Sequence, residues 1–297
     1  MSPIRYHTHP MLSKPVLIMG FSGWANAGDV SIGTADYLIN RLDTHPLATL
    51  EPGGFFDMTE DRPIAAIENG ELKNLQPFRA RFHYARTPEN QPDIIIYRGP
   101  EPRLAWDEFC DLVFDLAAKL DVAAIFTLGG TFDYVPHWHP PTVSAVYSSV
   151  QAGELLIRAP QNVQPAEYEG PISIHTYILQ RGSQTGLPVV GLWGHAPVYI
   201  QTGNIKQHYA MVEILKASAG FELDTRDLFE GIDEMDHRIE ELVAQNPDLQ
   251  KYLEGLEREE PAPRRRQSPI HHHRPGTDGA KIIPLDQFLN KDKDDEK

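Results

Sequence analysis

A strand–helix–strand unit in residues 93–130 is the feature that most constrains the fold of this chain. Residues 94–99 (IIIYRG) form an apolar run that ends at a glycine, as expected of a strand buried on both faces. Residues 122–128 form a second such run. Between them apolar side chains recur at helical spacing, at Trp106, Phe109, Cys110, Val113, Phe114, Ala117 and Leu120. Two strands joined by a helix lie parallel in a sheet. The unit therefore predicts an α/β fold.

Other segments extend this pattern through residues 1–220. Residues 16–20 (VLIMG) have the composition of a buried strand. The helix predicted to follow it has one apolar face, at Ile32, Ala35, Leu38, Ile39 and Leu42. We also predict strands over residues 64–67, 78–84 and 188–194, a helix over 205–217, and either a helix or a strand over 172–179. The elements together predict an α/β domain with a mostly parallel or mixed central sheet.

The composition changes after residue 220. Residues 221–260 contain 14 Asp and Glu against 4 Lys and Arg, a net charge of −10. An apolar stripe remains, at Leu228, Ile232, Met235, Ile239 and Leu242, so we predict an acidic amphipathic helix or helix pair. Residues 261–297 are rich in proline and charge and have little periodic apolar surface. We predict that this third segment is a disordered tail.

Charge and hydropathy exclude several kinds of partner. The net charge of −15 argues against a nucleic-acid binder and against docking on anionic lipid. No apolar run approaches the roughly 20 residues of a membrane span. Cys110 is the single cysteine, and its place on an apolar stripe predicts a buried, unreactive thiol in a reducing compartment. We therefore expect a soluble cytoplasmic protein.

The stretch GFSGWANAG, residues 20–28, joins the first predicted strand to a helix. It lacks the Gly-Lys-Ser/Thr of a phosphate-binding loop, and it matches neither G-x-G-x-x-G nor G-x-S-x-G. Three interpretations remain: a tight turn with close backbone approach, an anion-binding helix N-terminus, or a Ser22 nucleophile. Asn26 is predicted to cap the helix, with Asp29 in its first turn. Trp24 is either a core residue or the anchor of an interface or pocket.

Histidines supply the remaining candidate chemistry. His137 and His139 flank Trp138, and in extended chain both imidazoles would project to the same face, as in a metal site. Further ligands are not apparent, so we predict a proline-held loop and no metal. His195 follows a strand and is either a general base or a packed loop histidine. The tract at residues 271–273 is a solvated linker or an opportunistic metal binder.

Four glycine-bearing turns are predicted to converge. Each follows a predicted strand, and the carboxyl ends of parallel strands meet at one edge of a sheet, where open α/β folds hold ligands. The turns contain Gly20, Gly99, Gly129 with Gly130, and Gly194. The candidate ligand- or partner-binding residues are Gly20, Ser22, Gly23, Trp24, Asn26, Gly99, Glu101, Gly130, His137, His139, His195 and Tyr199.

Five motifs resemble those of the PAC2 (proteasome assembly chaperone 2) family, in its bacterial branch. They are KPVLIMGFSGWANAG, FFDMTEDRP, YRGPEPRLAWDEF, LGGTFDYVPHWHPPTVS and GLWGHAPVYIQ, and the match spans roughly residues 14–258. The resemblance implies a three-layer α/β/α domain similar to nucleoside phosphorylases, and self-association. Eukaryotic and archaeal members are chaperones of proteasome assembly, and some end in a hydrophobic-Tyr-any motif, whereas this sequence ends Asp295-Glu296-Lys297.

Two functional hypotheses follow. The first is a non-enzymatic assembly factor with no catalytic residues and no cofactor, which binds itself as a homo-oligomer, such as a trimer, and other proteins. The second is an enzyme or binding protein for a nucleoside or phosphorylated compound that uses the converging turns. Labels that tie some bacterial relatives to ATP-grasp enzymes have no counterpart here, because the sequence has no such phosphate loop.

Overall fold

The computed structural model describes residues 3–60, 62–76, 78, 80–160, 163–201 and 203–258. Eleven strands lie within these residues: β1 (Ile4–Tyr6), β2 (Val16–Ser22), β3 (His45–Leu50), β4 (Ile64–Glu68), β5 (Glu71–Gln76), β6 (Arg81–Ala85), β7 (Ile94–Pro100), β8 (Ala124–Asp133), β9 (Val143–Tyr147), β10 (Val163–Pro165) and β11 (Val189–Pro197). The α-helices of the same residues are α1 (Val30–Arg41), α2 (Trp106–Lys119), α3 (Val150–Glu154), α4 (Ile174–Thr185), α5 (Ile205–Ala219), α6 (Arg226–Gln245) and α7 (Pro247–Arg258).

Nine strands form one mixed sheet in the order β1-β3-β6-β7-β2-β8-β11-β9-β10. Its four central strands, β7, β2, β8 and β11, are mutually parallel. Strands β6, β3 and β1 continue the sheet antiparallel on one side, and β9 pairs antiparallel with β11 on the other. The predicted strand–helix–strand unit is β7-α2-β8, although β2 lies between its two strands. The α/β prediction is confirmed.

Helices cover both faces of this sheet and give the three-layer α/β/α architecture that the resemblance implied. Alternate residues of β2 enter different clusters, as the period of a strand requires. Val16 and Ile18 pack with α1 and α5 on one face. Leu17 and Met19 pack with α2 and α4 on the other. Each such buried aliphatic side chain contributes roughly 1.5–3 kcal/mol to folding.

One local prediction is decided by the structure and another needs correction. Residues 172–179, predicted as either a helix or a strand, lie mainly in helix α4, so the helix alternative is confirmed. The predicted strand over 78–84 begins later, at Arg81, and an unpredicted strand, β5, precedes it. Among the described residues strand β5 pairs only with β4, through a two-residue Asn69-Gly70 turn in which both residues have positive φ, 51° and 81°. Asn-Gly favours this hairpin turn, so the sequence contained the signal.

The acidic helices fold back onto the α/β body. Helix α6 packs along α5, and α6 and α7 enclose a small apolar cluster with the loop after β11, formed by Tyr199, Ile200, Ile239, Leu249 and Leu253. Ile239 and Leu228 of the predicted stripe are buried. None of the helices in the described ranges is long and apolar enough to cross a membrane. The predicted tail, residues 261–297, lies outside those ranges.

Candidate functional site

The carboxyl ends of the four parallel strands meet at one edge of the sheet, as predicted. The glycines, however, lie inside the strands and not in the turns after them. Gly130 is packed against the chain after β2, because a Cβ there would stand 2.3 Å from the carbonyl oxygen of Ala27. Gly20 is similarly close to α1, where a Cβ would approach that of Ala35 to 2.5 Å. These glycines allow close packing of strand and helix.

The GFSGWANAG stretch uses its polar groups internally. The Asn26 Oδ1 accepts hydrogen bonds from the backbone N–H groups of Ser31, at 2.9 Å, and Ile32, at 3.0 Å. The Asn26 side chain therefore caps α1, but the N-cap position itself is Asp29, with φ +58°, which was predicted to lie in the first turn. The Ser31 hydroxyl accepts from the Phe21 N–H. Because Asn26 occupies these two helix N–H groups, the geometry does not favour an anion site there.

Glu101 connects this stretch to α4. Its carboxylate accepts the Ile174 N–H at 2.9 Å and also a backbone hydrogen bond from Trp24. Burial raises the pKa of Glu101. Ser22 has no histidine partner among the residues described; its carbonyl accepts the Glu101 N–H at 2.9 Å. The nucleophile interpretation of Ser22 therefore gains no support from its surroundings.

A first cavity, of about 490 Å³, lies between the loop after β8 and helix α6, and we call it the histidine cavity. His137, His139 and His195 line it. His139 donates its backbone N–H to the Pro136 carbonyl at 3.1 Å, so the segment is a turn. The predicted proline-held loop is therefore present, and the two imidazoles do not share the common face of the alternative interpretation, since His137 is buried and His139 is exposed.

Hydrogen bonds hold His137 in place. Its N–H donates to the Tyr199 hydroxyl at 2.6 Å, and its Nδ1 lies 2.9 Å from the same oxygen. The Lys206 Nζ donates to the His137 carbonyl at 2.7 Å and pairs with Asp236 at 2.5 Å. Burial lowers the pKa of His137 and raises that of Tyr199. In the described part of the chain, His, Cys, Asp and Glu side chains form no group of three or more that could hold a metal ion.

A second cavity, of about 440 Å³, lies over the sheet near the N-terminus of α4, and we call it the tryptophan cavity. Trp24 and Trp193 form part of its wall, and His175 and His195 line it. His175 is 1% exposed, and burial lowers its pKa to about 3, so it is neutral at physiological pH. Trp24 is half-buried on this wall, and is neither a fully buried core residue nor a fully exposed one.

His195 lies between the two cavities and has partners that sequence reasoning missed. Its Nε2 is 2.7 Å from the Ser144 hydroxyl and its Nδ1 is 3.0 Å from a carboxylate oxygen of Asp133. Ser144 lines the tryptophan cavity and Asp133 the histidine cavity. No motif indicated this group, because Ser144 lies in an ordinary apolar strand and only the sheet brings the three side chains together.

The predicted site residues thus separate by role. Trp24, His137, His139 and His195 line cavities. Tyr199 is fully buried behind His137, and Glu101 anchors the N-terminus of α4. The others are in the strand ends and in the turn before α1: Gly20, Ser22, Gly23, Asn26, Gly99 and Gly130. Cys110 is buried, as predicted, and burial raises the pKa of its thiol to about 12.

Comparison with known proteins adds a family and related structures. The model of the PAC2 family matches residues 20–243. A protein of unknown function from Corynebacterium glutamicum is 22% identical with a TM-score of 0.77, covering 86% of this chain and 96% of that chain. A protein of unknown function from Mycobacterium tuberculosis is 25% identical with a TM-score of 0.76, covering 86% of this chain and 87% of that chain. A proteasome-assembly chaperone homologue from M. tuberculosis is 25% identical with a TM-score of 0.71, covering 80% and 99%. The comparison with curated proteins found no match.

Proposed function

Since the chain belongs to the PAC2 family, we propose that it is a self-associating assembly factor that works by binding proteins. The name of one relative, a proteasome-assembly chaperone homologue, supports assembly as the function class. The observation that carries the proposal is an uncovered apolar face on the β4–β5 hairpin. A contiguous exposed apolar patch is typical of a surface that binds another protein chain.

The hairpin is a separate two-stranded sheet at the surface. In its register Ile67 lies opposite Leu72, and Ala65 lies opposite Leu75. Because directly opposed residues share a face, these four side chains form one apolar surface. Ile67, Leu72 and Leu75 are 67%, 61% and 55% exposed. An isolated two-stranded hairpin is marginally stable in water, so contact with a partner would stabilise it.

Charge indicates which surface two copies of the chain would use to associate. Two chains that each carry a net charge of −15 repel one another. The contact therefore has to use a surface with little charge. The hairpin, residues 64–76, contains two Glu and one Lys, whereas the segment that contains α6 and α7, residues 221–260, carries −10. The hairpin thus lets two copies approach apolar surface to apolar surface with the least repulsion.

Sedimentation velocity tests this function. The wild-type protein at micromolar concentration should sediment as an oligomer. Leu72→Lys places a charge in the apolar face and should shift the mass toward the monomer. Asn74→Lys is the matched control, because it adds the same charge to the same strand. The register shifts by one residue between the pairs Ala66–Asn74 and Ile67–Leu72, so Asn74 lies on the opposite face from Leu72. Both positions are exposed, so circular dichroism should be unchanged in both variants.

Two results would contradict the proposal. The first is a wild-type protein that remains monomeric at all concentrations reached. The second is an oligomer that Leu72→Lys and Asn74→Lys weaken equally, since that would assign the contact to general charge and not to this face.

A further inference from the structure

Three hydrogen-bonded side chains on neighbouring strands carry an inference beyond protein binding. The Asp133 carboxylate can only accept a hydrogen bond, so the 3.0 Å contact places a proton on Nδ1 of His195. The neutral ring then has a lone pair on Nε2, which accepts the Ser144 hydroxyl proton at 2.7 Å. The order is that of a nucleophile, its base, and the carboxylate that orients the base.

The sheet fixes this group rigidly. Strand β11 places His195 between β8, which ends at Asp133, and β9, which contains Ser144. Ser144 is 6% exposed and His195 is 3% exposed. The reacting atoms are therefore held by ladder hydrogen bonds and by packing, as a preorganised site requires.

The tryptophan cavity gives Ser144 a space for a ligand. Two further polar residues, Ser173 and His175, line the same cavity. The Ser173 Oγ and the His175 Nε2 are buried and have no hydrogen-bond partner in the described residues. Ser173 and His175 are 2% and 1% exposed. A buried polar atom without a partner is unfavourable. A ligand oxygen would accept a hydrogen bond from the Ser173 hydroxyl, and from the His175 Nε2 in the tautomer in which Thr127 donates to Nδ1.

The cavity wall indicates the class of ligand. Its apolar surface comes from aromatic and aliphatic side chains, which are Trp24, Val146, Tyr168, Ile172, Leu179 and Trp193. The described residues that line the cavity include the acidic Glu169 but no lysine or arginine. A carboxylate or phosphate would have no positive partner there, so a neutral molecule with an aromatic or aliphatic group fits best.

We propose that Ser144 is the nucleophile of a serine hydrolase site that cleaves a neutral carboxylic ester bound in the tryptophan cavity. The Ser144 Oγ bonds to the carbonyl carbon as its proton moves to Nε2 of His195. The ester C–O bond then breaks, and the leaving alcohol takes that proton. Water, activated by His195 in the same way, hydrolyses the acyl-serine and releases the carboxylic acid. Asp133 is a positioning residue for His195.

A fluorophosphonate and p-nitrophenyl butyrate test this site in the full chain. The fluorophosphonate should form an Oγ–P bond with loss of fluoride, and peptide mapping should place the adduct on Ser144. Ser144→Ala should abolish the adduct and lower ester hydrolysis at least about 100-fold, whereas the control Ser183→Ala, at an exposed position of α4, should leave both unchanged. Asp133→Asn should lower kcat at least about 10-fold with KM within about twofold.

The peptide map decides the outcome even where Ser144→Ala fails to fold, because it uses the wild-type protein. An unlabelled wild-type chain, or an adduct on another serine, would overturn the proposal. So would ester hydrolysis that persists in a folded Ser144→Ala variant. Each of these results leaves self-association through the β4–β5 hairpin unaffected.

Discussion

The Glu101 carboxylate accepts a 2.9 Å hydrogen bond from the backbone N–H of Ile174, the first residue of α4. Glu101 follows the end of β7, so this contact ties a central strand to a helix on the face of the sheet. The same carboxylate accepts a backbone hydrogen bond from Trp24. One side chain thereby positions both the N-terminus of α4 and a wall of the tryptophan cavity.

Glu101 should make stability depend on pH. Burial raises its pKa above the ordinary 4.5, so between the two values the folded chain holds a proton that the unfolded chain has lost. The contribution of this group is therefore fully present below about pH 4.5 and is lost as pH rises through the folded pKa. Urea unfolding of Glu101→Gln between pH 4 and 8 should show a smaller decline than that of the wild type.

Glu101→Ala is the matched variant, because it removes the cap as well as the charge. It should cost about 0.5–2 kcal/mol at pH 7, while Glu101→Gln stays near the wild type. Equal losses of unfolding free energy in Glu101→Gln and Glu101→Ala would contradict this account, because they would show that Glu101 stabilises the fold through its negative charge.

Asn26 should matter for stability through α1. Its side chain accepts two N–H groups of the first turn, so Asn26→Ala should lower the free energy of unfolding by about 1–2 kcal/mol. Asn26→Asp keeps the accepting oxygen but loses the amide donor that lies 3.1 Å from Asp29. Its free energy of unfolding should lie between those of the wild type and Asn26→Ala. Denaturant melts of the three proteins measure this order, and an unchanged Asn26→Ala variant would refute the capping role.

His175 should make the fold sensitive to acid. Its pKa is about 3 in the folded chain and near 6.5 in the unfolded chain, so between these values only the unfolded chain binds the proton. Stability contributed by the neutral ring is present above pH 6.5 and is lost as pH falls, with a slope of up to about 1.4 kcal/mol per pH unit. Other buried histidines with lowered pKa, such as His137 and His208, add to this slope.

The His175→Phe variant isolates the contribution of His175 to the pH dependence of stability. The phenyl ring should occupy the space between Phe21 and Trp193, whose ring centroids lie 5.2 and 4.9 Å from that of His175. The variant loses some stability at pH 7, because Thr127 loses its 3.0 Å hydrogen bond, yet its stability should decline less from pH 6.5 to 5. Parallel pH profiles for the variant and the wild type would contradict the assignment.

Much of the fold could be predicted from the sequence because its central strands are buried on both faces. Continuous apolar runs such as residues 94–99 mark these strands, although each strand continues beyond the glycine that was predicted to end it. The cap at Asn26 was also predictable, because a cap acts over a few residues. Close packing at Gly130 was not, since it depends on how the chain after β2 crosses β8.

The candidate site was less predictable because its contacts are long-range. Ser144 and His195 are 51 residues apart, and Asp133 and His195 are 62 apart, so no local spacing reveals them. His195 was identified only as one of several histidines after strands. The loop at His137 and His139, by contrast, was predictable, because the prolines around the two histidines act locally on the chain.

Hydrogen–deuterium exchange of residues 64–76, followed as protein concentration rises, tests most directly that the β4–β5 hairpin is the surface of self-association. In a monomer these exposed amides should exchange rapidly, since the hairpin has little to stabilise it. We predict that high concentration protects them at least about tenfold in the wild type and in Asn74→Lys, but not in Leu72→Lys. Oligomer formation without protection of this segment would contradict the account.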